Sequence, residues 1–281
     1  METDALGREE SDVFVPAGGE ADAAWGHVTH LGIGAHADDL EFMAMPGIAE
    51  CRAGHGVFGG VVVTDGAGSV RADGLTESEL RAVRREEQRE AARLGGYAIV
   101  AQLGFSSAQA KTAPESIEAE LGRILAHASP RVVYTHNPAD RHDTHVAVCA
   151  AVIRALRRLP VGRRPSCLLG CEVWRDLDWL TGDDRVRLDC GGDPEFADRL
   201  AAVFRSQIEG GKRYDLAVAG RRRAQATFDE PRQADAATMV TLAMDLTPLL
   251  VDDSLSVTDY VLGCVDRFRD DVAGRLRRFA Q

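Results

Sequence analysis

Histidines and carboxylates are concentrated in two short segments of this sequence. In the first, Ala35-His36-Ala37-Asp38-Asp39-Leu40-Glu41, a histidine closely precedes a pair of adjacent aspartates. Neighbouring carboxylates repel each other, and a divalent cation would remove that cost while giving His36 a partner. The two aspartates would equally suit the first turn of a helix, where they cap it and interact with its dipole. This segment alone leaves metal binding and helix capping open.

The second segment runs from Tyr134 to His145 and contains His136, His142 and His145, three of the eight histidines of the chain. His142 and His145 are three residues apart at the expected start of a helix, so they can point toward one focus. A histidine and an aspartate from the first segment, with one histidine from the second, would leave one coordination position open. Catalytic zinc sites have this pattern of three protein ligands, and they lower the pKa of water toward neutrality.

The elements that would position these residues alternate between strands and helices. Short apolar runs predict strands at 28–35, 57–64, 97–103, 131–135, 168–174 and 186–189. Amphipathic spacing predicts helices at 38–52, 76–94, 115–128 and 144–157, and near 194–209, 234–249 and 258–278. This alternation indicates an α/β fold with a mostly parallel sheet covered by helices on both faces. Functional groups in such sheets gather beyond the carboxyl ends of the strands, so the loops after residues 35, 64 and 135 become candidates.

Residues 1–25 are rich in Gly, Ala, Asp and Glu and predict an N-terminal extension, docked through Val13-Phe14-Val15-Pro16. We expect residues 26–281 to form one domain, since 281 residues suffice for one large α/β core.

Charge and cysteine content limit the classes of partner and the compartment expected for this chain. The formal net charge of −11 argues against nucleic acid or a membrane surface and favours a small-molecule substrate. The six cysteines lie mostly in apolar segments, and Cys167 and Cys171 have no second pair nearby, which indicates buried thiols in a reducing compartment. The N-terminus lacks the basic and apolar regions of a signal peptide. We therefore expect a cytoplasmic protein, and a homo-oligomer is compatible with the sequence.

Two motifs in this sequence resemble the motifs of a known family. His36-Ala37-Asp38-Asp39 resembles the His-Pro-Asp-Asp motif of the PIG-L/LmbE-like family of zinc-dependent N-acetylglucosaminyl deacetylases. Asp140-Arg141-His142-Asp143-Thr144-His145 is similar to the second motif of that family, Asp-x-His-x-x-His. The resemblance covers roughly residues 28 to 225, with further matches at Thr64-Asp65-Gly66, the helix from Arg84 to Gly95, Leu103-Gly104-Phe105 and Ser206-Gln207.

The resemblance implies a Rossmann-like fold and a hydrolase that uses Zn²⁺ or another divalent metal to remove an N-acyl group, in particular acetyl, from an amino-sugar-type substrate. It assigns the metal ligands to His36, Asp39 and His145, the general base to Asp38 and the assisting imidazole to His142. Either Asp38 or His142 would protonate the departing amine.

Two positions depart from the family pattern. Ala37 replaces the usual proline, which loosens a turn without removing a chemical group. Thr144 stands where an aspartate often precedes the last histidine, so another carboxylate, Asp143 or Asp140, would have to orient an imidazole.

Substrate contacts are expected from the loop 65–71, which lies beside the metal in the layout of the family. Asp65 and Arg71 are the candidates, and Arg71 could bind a hydroxyl cluster or a phosphate, although a solvated arginine explains it equally well. Trp174 and Trp179 could stack on a sugar or belong to the core. The basic stretch 210–223 suits an anionic substrate group, a neighbouring subunit or a solvated helix face.

Three alternatives stay open on the sequence. Gly32-Ile33-Gly34-Ala35-His36-Ala37 has the form of a dinucleotide-binding turn of an NAD-dependent oxidoreductase, although Asp38 and Asp39 would repel a pyrophosphate there. A metal-dependent amidase could act on a thiol conjugate or an antibiotic intermediate. A metal-binding protein without catalysis is opposed by the intact Asp38.

Overall fold

A single mixed sheet organises the chain in the computed structural model, which describes residues 6–68 and 75–280. The strands within these ranges are β1 Asp12–Phe14, β2 His30–Gly34, β3 Phe58–Thr64, β4 Ile99–Phe105, β5 Val132–His136, β6 Cys167–Cys171, β7 Arg185–Asp189 and β8 Val240–Asp245. The helices are α1 Ala21–His27, α2 Asp39–Met43, α3 Met45–Glu50, α4 Glu77–Gly95, α5 Ser107–Thr112, α6 Pro114–His127, α7 Asp143–Arg157, α8 Pro194–Ala201, α9 Arg205–Ile208, α10 Tyr214–Thr227, α11 Pro248–Val251 and α12 Val257–Phe279.

The strand order is β1-β4-β3-β2-β5-β6-β8-β7. Strands β4, β3, β2, β5 and β6 run parallel, and the pairings of β1 with β4, of β6 with β8 and of β8 with β7 are antiparallel. The expected α/β fold with a mostly parallel, Rossmann-like sheet is confirmed. The chain winds outward in one direction from β2 and in the other from β5, and the crevice at such a reversal is where α/β proteins bind ligands.

Alternating strand residues build a core on each face of the sheet. Ile33, Val61 and Val63 point into one core, which packs against α1, α6 and α7. Val62 and Val100 point into the other core, together with the apolar side of α2, α3 and α4. Successive strand side chains face opposite sides of the sheet. Because helices cover both sides, both sets of side chains are buried, and the central strands are therefore continuous apolar runs.

Local signals at the two ends of α4 match its bounds. Thr76 accepts a hydrogen bond from the backbone N–H of Glu79, and the Glu79 carboxylate accepts one from the backbone N–H of Thr76. Gly96 ends the helix at φ 70°, a left-handed conformation that glycine adopts without a Cβ clash. The helix predicted at 76–94 therefore lies within a residue of its expected bounds.

The helix predicted at 234–249 is wrong. Residues 240–245 form strand β8, hydrogen-bonded between β6 and β7, and only the short α11 follows it. The run Val240-Thr241-Leu242-Ala243-Met244 is buried throughout, and a short run that is apolar on every side has no period that separates a strand from a helix.

Residues 12–14, within the predicted N-terminal extension, pair as β1 with the edge strand β4. Phe14 lies under the guanidinium groups of Arg89 and Arg93 on α4. The apolar piece 13–16 thus packs where the sheet would otherwise have a free edge, while the division of the chain at residue 25 stays a prediction.

All six cysteines are free thiols, four of them buried. In the part of the chain that the structure describes, no helix combines the length and the apolar character needed to cross a membrane.

Candidate active site

The first predicted segment forms a tight turn between β2 and α2. Asp38 has φ 86°, the left-handed region, where it is the only non-glycine among the described residues. This turn folds Asp39 back, so that its Oδ2 accepts a hydrogen bond from the backbone N–H of His36 at 2.7 Å. A Cβ on Gly34 would lie 2.9 Å from the Asp39 Cβ, so the glycine permits this close approach. The turn places a histidine and a carboxylate side by side.

His145 reaches this turn from the neighbouring strand connection, because β5 pairs with β2 and α7 follows β5. Three atoms converge: His36 Nδ1 lies 3.2 Å from Asp39 Oδ2 and 3.1 Å from His145 Nε2, and the last two are 3.5 Å apart. Ligands about 2.0–2.1 Å from a tetrahedral ion stand about 3.3 Å from one another. The three atoms therefore have the spacing of three ligands around one small divalent ion.

Burial supports the same interpretation. The side chains of Asp39 and His145 are 3% and 0% exposed, and that of His36 is 19% exposed, which leaves one side of the group open to the cavity. Burial opposes ionisation of Asp39, but His145 and then His136 outweigh it and hold the pKa of Asp39 well below its ordinary value. A buried carboxylate that stays ionised beside imidazole nitrogens is a donor set that suits a divalent cation.

His136 is the buried histidine to which the sequence argument assigned no role. Its ring stacks on His145 at 3.8 Å, and its Nε2 lies 3.3 Å from Asp39 Oδ2. The same Nε2 accepts the backbone N–H of Ala35 at 2.9 Å, so its lone pair is already used. Among the described residues two groups have donor atoms close enough to share an ion: His36 with His142 and His145, and Asp39 with His136 and His145. The hydrogen bond from Ala35 makes His136 the least available donor of the second group. The available signal was its place as the last residue of β5, beside β2.

Asp140 orients His145. Its Oδ2 lies 3.3 Å from His145 Nδ1 and accepts the backbone N–H of Trp174, while its Oδ1 accepts the backbone N–H of His142. Burial by itself would raise the pKa of Asp140, but the hydrogen bond with His145 acts against it, and the pKa lies below its ordinary value. Of the two carboxylates that could replace the missing one at Thr144, Asp140 makes this contact, whereas Asp143 is exposed in the first turn of α7.

Asp38 points into the cavity next to the three converging atoms but is not one of them. It is 5% exposed. Burial, followed by the charges of Asp39 and Glu41, raises the pKa of Asp38 well above its ordinary value. Gln207 donates to Asp38 and to the carbonyl oxygen of Ala37. A carboxylate that readily accepts a proton thus lies beside the candidate metal site.

Gln207 is placed by a contact between two helices. The Glu87 carboxylate on α4 accepts the backbone N–H and the hydroxyl of Ser206 on α9, at 2.7 and 2.6 Å. The Ser206-Gln207 match in the sequence therefore reflects one residue that anchors a helix and one that contacts Asp38.

His142 precedes α7 and faces the cavity. Its ring centroid lies 4.6 Å from that of His145, 5.0 Å from that of His36 and 5.8 Å from that of Trp174. Burial, followed by the charge of His36, lowers the pKa of His142. Its Nδ1 is buried without a hydrogen-bond partner among the described residues, so this nitrogen is available to a ligand.

The cavity over these groups has a volume of about 240 Å³. Its lining combines polar side chains, among them Arg84, Gln207 and Arg221, with apolar and aromatic ones, Phe42, Val173, Trp174, Tyr214 and Val218. Trp174 is 37% exposed and available to a sugar face, whereas Trp179 is partly buried against the core.

Of the two predicted substrate residues, Asp65 does not line this cavity. The Asp65 carboxylate pairs with Arg81 at 2.8 Å and accepts the backbone N–H of Ala67, and it lines a neighbouring cavity with Arg8. Arg71 lies outside the described residues. Arg84, to which the sequence argument gave no substrate role, does line the cavity, and its guanidinium donates to the carbonyl oxygen of Gly66.

The dinucleotide alternative finds no support in the turn after β2. The backbone N–H groups of Ala35 and His36, which would face a pyrophosphate, are bonded to His136 and to Asp39. The carboxylates of Asp38 and Asp39 occupy the helix start that a phosphate would need.

Fold and site together define a class: an α/β enzyme with a candidate mononuclear metal centre at the carboxyl edge of a parallel sheet. Residues 31–156 match the PIG-L family, described as GlcNAc-PI de-N-acetylase. The uncharacterized deacetylase YaiS of Escherichia coli strain K12 is 31% identical over 135 residues, which are 46% of this chain and 69% of that protein. This chain belongs to the PIG-L family of deacetylases.

Solved structures of similar fold include the N,N'-diacetylchitobiose deacetylase from Pyrococcus horikoshii, with a TM-score of 0.64 and 19% identity over 79% of this chain and 85% of that one. The 4-carboxy-2-hydroxymuconate hydratase GalB from Pseudomonas putida KT2440 gives a TM-score of 0.61 and 18% identity over 78% and 96%. At these identities the likeness shows the fold alone. The family membership confirms the expected function at its general level, a metal-dependent hydrolase that removes an N-acyl group from an amino-sugar-type substrate.

Proposed function

We propose that this chain is a zinc-dependent N-deacetylase in which His36, Asp39 and His145 hold the metal and Asp38 is the general base. The observation that carries the proposal is the convergence of His36 Nδ1, Asp39 Oδ2 and His145 Nε2 at 3.1–3.5 Å, with the Asp38 carboxylate beside them. Two imidazoles and one carboxylate are a ligand set typical of catalytic zinc. When bound, the ion would supply a Lewis acid for the acyl carbonyl and lower the pKa of water.

The residues of the chain supply the remaining steps. Asp38 accepts the proton of the attacking water. Its pKa is raised in the metal-free chain, which lets the carboxyl group keep that proton. His142 donates a hydrogen bond to the oxygen on which charge develops, from a ring held between His36 and Trp174. The pKa of His142 is lowered, so Asp38 is the better candidate to pass a proton to the departing amine.

Asp140 acts through His145. A carboxylate behind a ligating imidazole selects its tautomer and orients its ring, and loss of such a partner typically costs about 10–100-fold in metal affinity or activity. The 3.3 Å contact between Asp140 Oδ2 and His145 Nδ1 fits that role.

The substrate we propose is an N-acetylated amino sugar or its conjugate, N-acetylglucosamine being the reference compound. Proteins of similar fold include deacetylases of N,N'-diacetylchitobiose, of the A40926 pseudoaglycone and of teicoplanin. The amidase alternative, with a thiol conjugate or an antibiotic intermediate as substrate, uses the same metal site and differs only in the group that fills the cavity. We propose the cytoplasm as its compartment, and self-association stays a prediction that sedimentation would test.

The test is a screen of N-acetylated sugars and simple amides for release of a primary amine, with the metal content measured on the same protein. Purified protein and a metal-depleted sample reconstituted with zinc, iron or cobalt should be compared. We expect near-stoichiometric metal, activity that follows its reloading, and loss of turnover in Asp38→Asn. A protein that binds no divalent metal would contradict the proposal.

A further inference from the structure

Helix α12 packs on the rest of the chain through its first half only. Val257, Tyr260 and Cys264 contact the core on the α1, α6 and α7 side of the sheet, and Arg267 pairs with Asp184 just before β7. From residue 269 onward, the hydrogen bonds and ion pairs of this helix stay within the helix in the described part of the chain. The segment 269–279 is shorter than the about 12–15 residues at which an isolated helix becomes marginally stable in water. A packing partner would therefore stabilise it.

An exposed apolar stripe runs along the outer side of α12. Each of its members is between 38% and 83% exposed, and in chain order they are Leu262, Val265, Val272, Leu276 and Phe279. Together with Arg269 they recur at alternating spacings of three and four residues, which is the heptad pattern of helices that pair with another helix. Single exposed apolar residues are ordinary, whereas a contiguous apolar patch marks an interaction site.

The stripe is symmetric about its centre, and this symmetry favours a second copy of the same chain as its occupant. When two α12 helices lie antiparallel with residue 269 at the crossing, Leu262 of one copy lies opposite Leu276 of the other. In the same arrangement Val265 lies next to Val272. A two-fold axis requires such self-complementarity because both copies present the same patch, whereas a different partner protein does not.

Charged residues beside the stripe favour the antiparallel orientation. Asp259 and Arg277 are 18 residues apart, which is five whole turns, so they lie on the same flank of the helix. In an antiparallel pair, Asp259 of each copy faces Arg277 of the other, whereas a parallel pair would bring like charges together. At the centre of the stripe, Asp266 and Asp270 lie 3.1 and 3.5 Å from Arg269 and compensate its charge.

The size of the stripe fits a weak dimer. The exposed fractions of its five members add up to almost three whole side chains, on the order of 500 Å² of apolar surface per copy. Two copies would bury on the order of 1,000 Å² through the stripes alone, and flanking side chains bring this area near the lower limit of specific interfaces, about 1,200 Å². A membrane surface is a poorer match, because the helix carries four aspartates with its five arginines and lipid-binding helices have a predominantly basic polar face.

We propose that two copies of this chain associate through antiparallel pairing of their α12 helices along this stripe. The proposal is independent of the proposed catalytic function. No residue of α12 is among those that line the cavity over the candidate metal site, so each copy keeps its own complete site.

Sedimentation velocity of the full chain between about 1 and 100 µM tests the association. We expect a reversible monomer–dimer equilibrium with a Kd in the micromolar range. Leu276→Asp should raise this Kd at least about tenfold, as loss of a central interface residue does. Val161→Asp is the matched control, since Val161 is also exposed but lies outside α12, and it should leave the equilibrium unchanged. A chain that stays monomeric at the highest concentration, or a dimer that tolerates Leu276→Asp, would overturn the proposal.

Exchange of the flanking charges tests the orientation. Asp259→Arg and Arg277→Asp should each weaken the dimer about three- to tenfold, because each change affects two symmetry-related pairs of exposed charges. The double variant restores opposite charges at both places and should return to within about twofold of the parental Kd. A double variant weaker than either single variant would contradict the antiparallel arrangement.

Cysteine cross-linking gives an independent measure of the geometry. Antiparallel pairing places position 262 beside position 276 and separates two copies of position 276 by about 20 Å along the helix axis, beyond the reach of a disulfide. A mixture of Leu262→Cys and Leu276→Cys proteins should therefore form an interchain disulfide on mild oxidation, and neither variant nor the parent should do so alone. A disulfide within either single variant would overturn the proposal. Capture of the parent, but not of Leu276→Asp, by vesicles of phosphatidylcholine and phosphatidylglycerol would assign the stripe to a membrane and overturn it as well.

Discussion

The replacement Asp38→Asn separates the general base from the metal site. Asp38 is next to a proposed ligand, yet its carboxylate is not among the three converging atoms, so the variant should retain one metal per chain. General bases contribute about 10²–10⁴-fold, which corresponds to about 2.7–5.4 kcal/mol of transition-state stabilisation at 1.36 kcal/mol per tenfold. We therefore expect a loss of that size in kcat, with little change in KM.

The backbone at this position makes the choice of substitute important. At φ 86°, asparagine is among the side chains that tolerate the left-handed region best, whereas alanine pays about 1–2 kcal/mol there. Asp38→Ala should thus lose about 1 kcal/mol more unfolding free energy than Asp38→Asn, measured by chemical denaturation, while both lose hydrolysis equally. Removing the charge also relieves repulsion from Asp39 and Glu41, so metal-free Asp38→Asn should be at least as stable as the parent.

The assay measures amine release on the best substrate of the screen, together with metal content by mass spectrometry on the same samples. An Asp38→Asn enzyme within a fewfold of the parent would refute the assignment of the base. Loss of metal in that variant would show that Asp38 belongs to the ligand set. Activity that follows the stability difference between the two variants would mean that the turn geometry, and not the carboxylate, is what matters.

Three further outcomes follow from the same geometry. Replacing His145 by Ala should lower metal content and activity together, and stoichiometric metal in that variant would contradict the ligand set. His142→Ala should keep the metal and lower kcat about 10²–10³-fold, as loss of an oxyanion donor does, and turnover near that of the parent would remove its role. Glu172 is buried, which raises its pKa above the ordinary value of 4.5. Its folded-state pKa therefore lies above its unfolded one, and its contribution to the unfolding free energy falls as the pH rises from about 4.5. Metal-free Glu172→Gln should accordingly gain stability relative to the parent between pH 4.5 and 7 in urea titrations, whereas the exposed Glu195→Gln should follow the parent curve throughout, and parallel curves for both would exclude this effect.

Local patterns predicted much of the molecule correctly because they depend on neighbours in sequence. The ends of α4 follow from Thr76 and Gly96, whose hydrogen bonds are made within one turn of the chain. The alternation of strands and helices implied the parallel sheet, and the sheet implied that the loops after β2 and β5 would meet. The candidate ligands His36, Asp39 and His145 could be named before any contact was known, because two motifs resemble those of a known family, and that ligand set stays a proposal.

Other features depend on which segments become neighbours in space. The apolar run of β8 contains no local period that separates strand from helix. Its hydrogen-bonded pairing with β6 and β7 makes it a strand. The role of His136 follows from its hydrogen bond to Ala35, a residue 101 positions away. Asp65, expected near the substrate, is instead paired with Arg81 on α4.

By itself the sequence determined the α/β class, the order of its elements and the residue types available for a metal site. Only the tertiary structure decided that three donor atoms stand about 3 Å apart, that Asp140 rather than Asp143 faces His145, and that the apolar stripe of α12 is exposed. Patterns along a chain report hydrophobic period and turn chemistry, which are local. Distances between side chains arise from how sheet and helices pack, a property that no single segment contains.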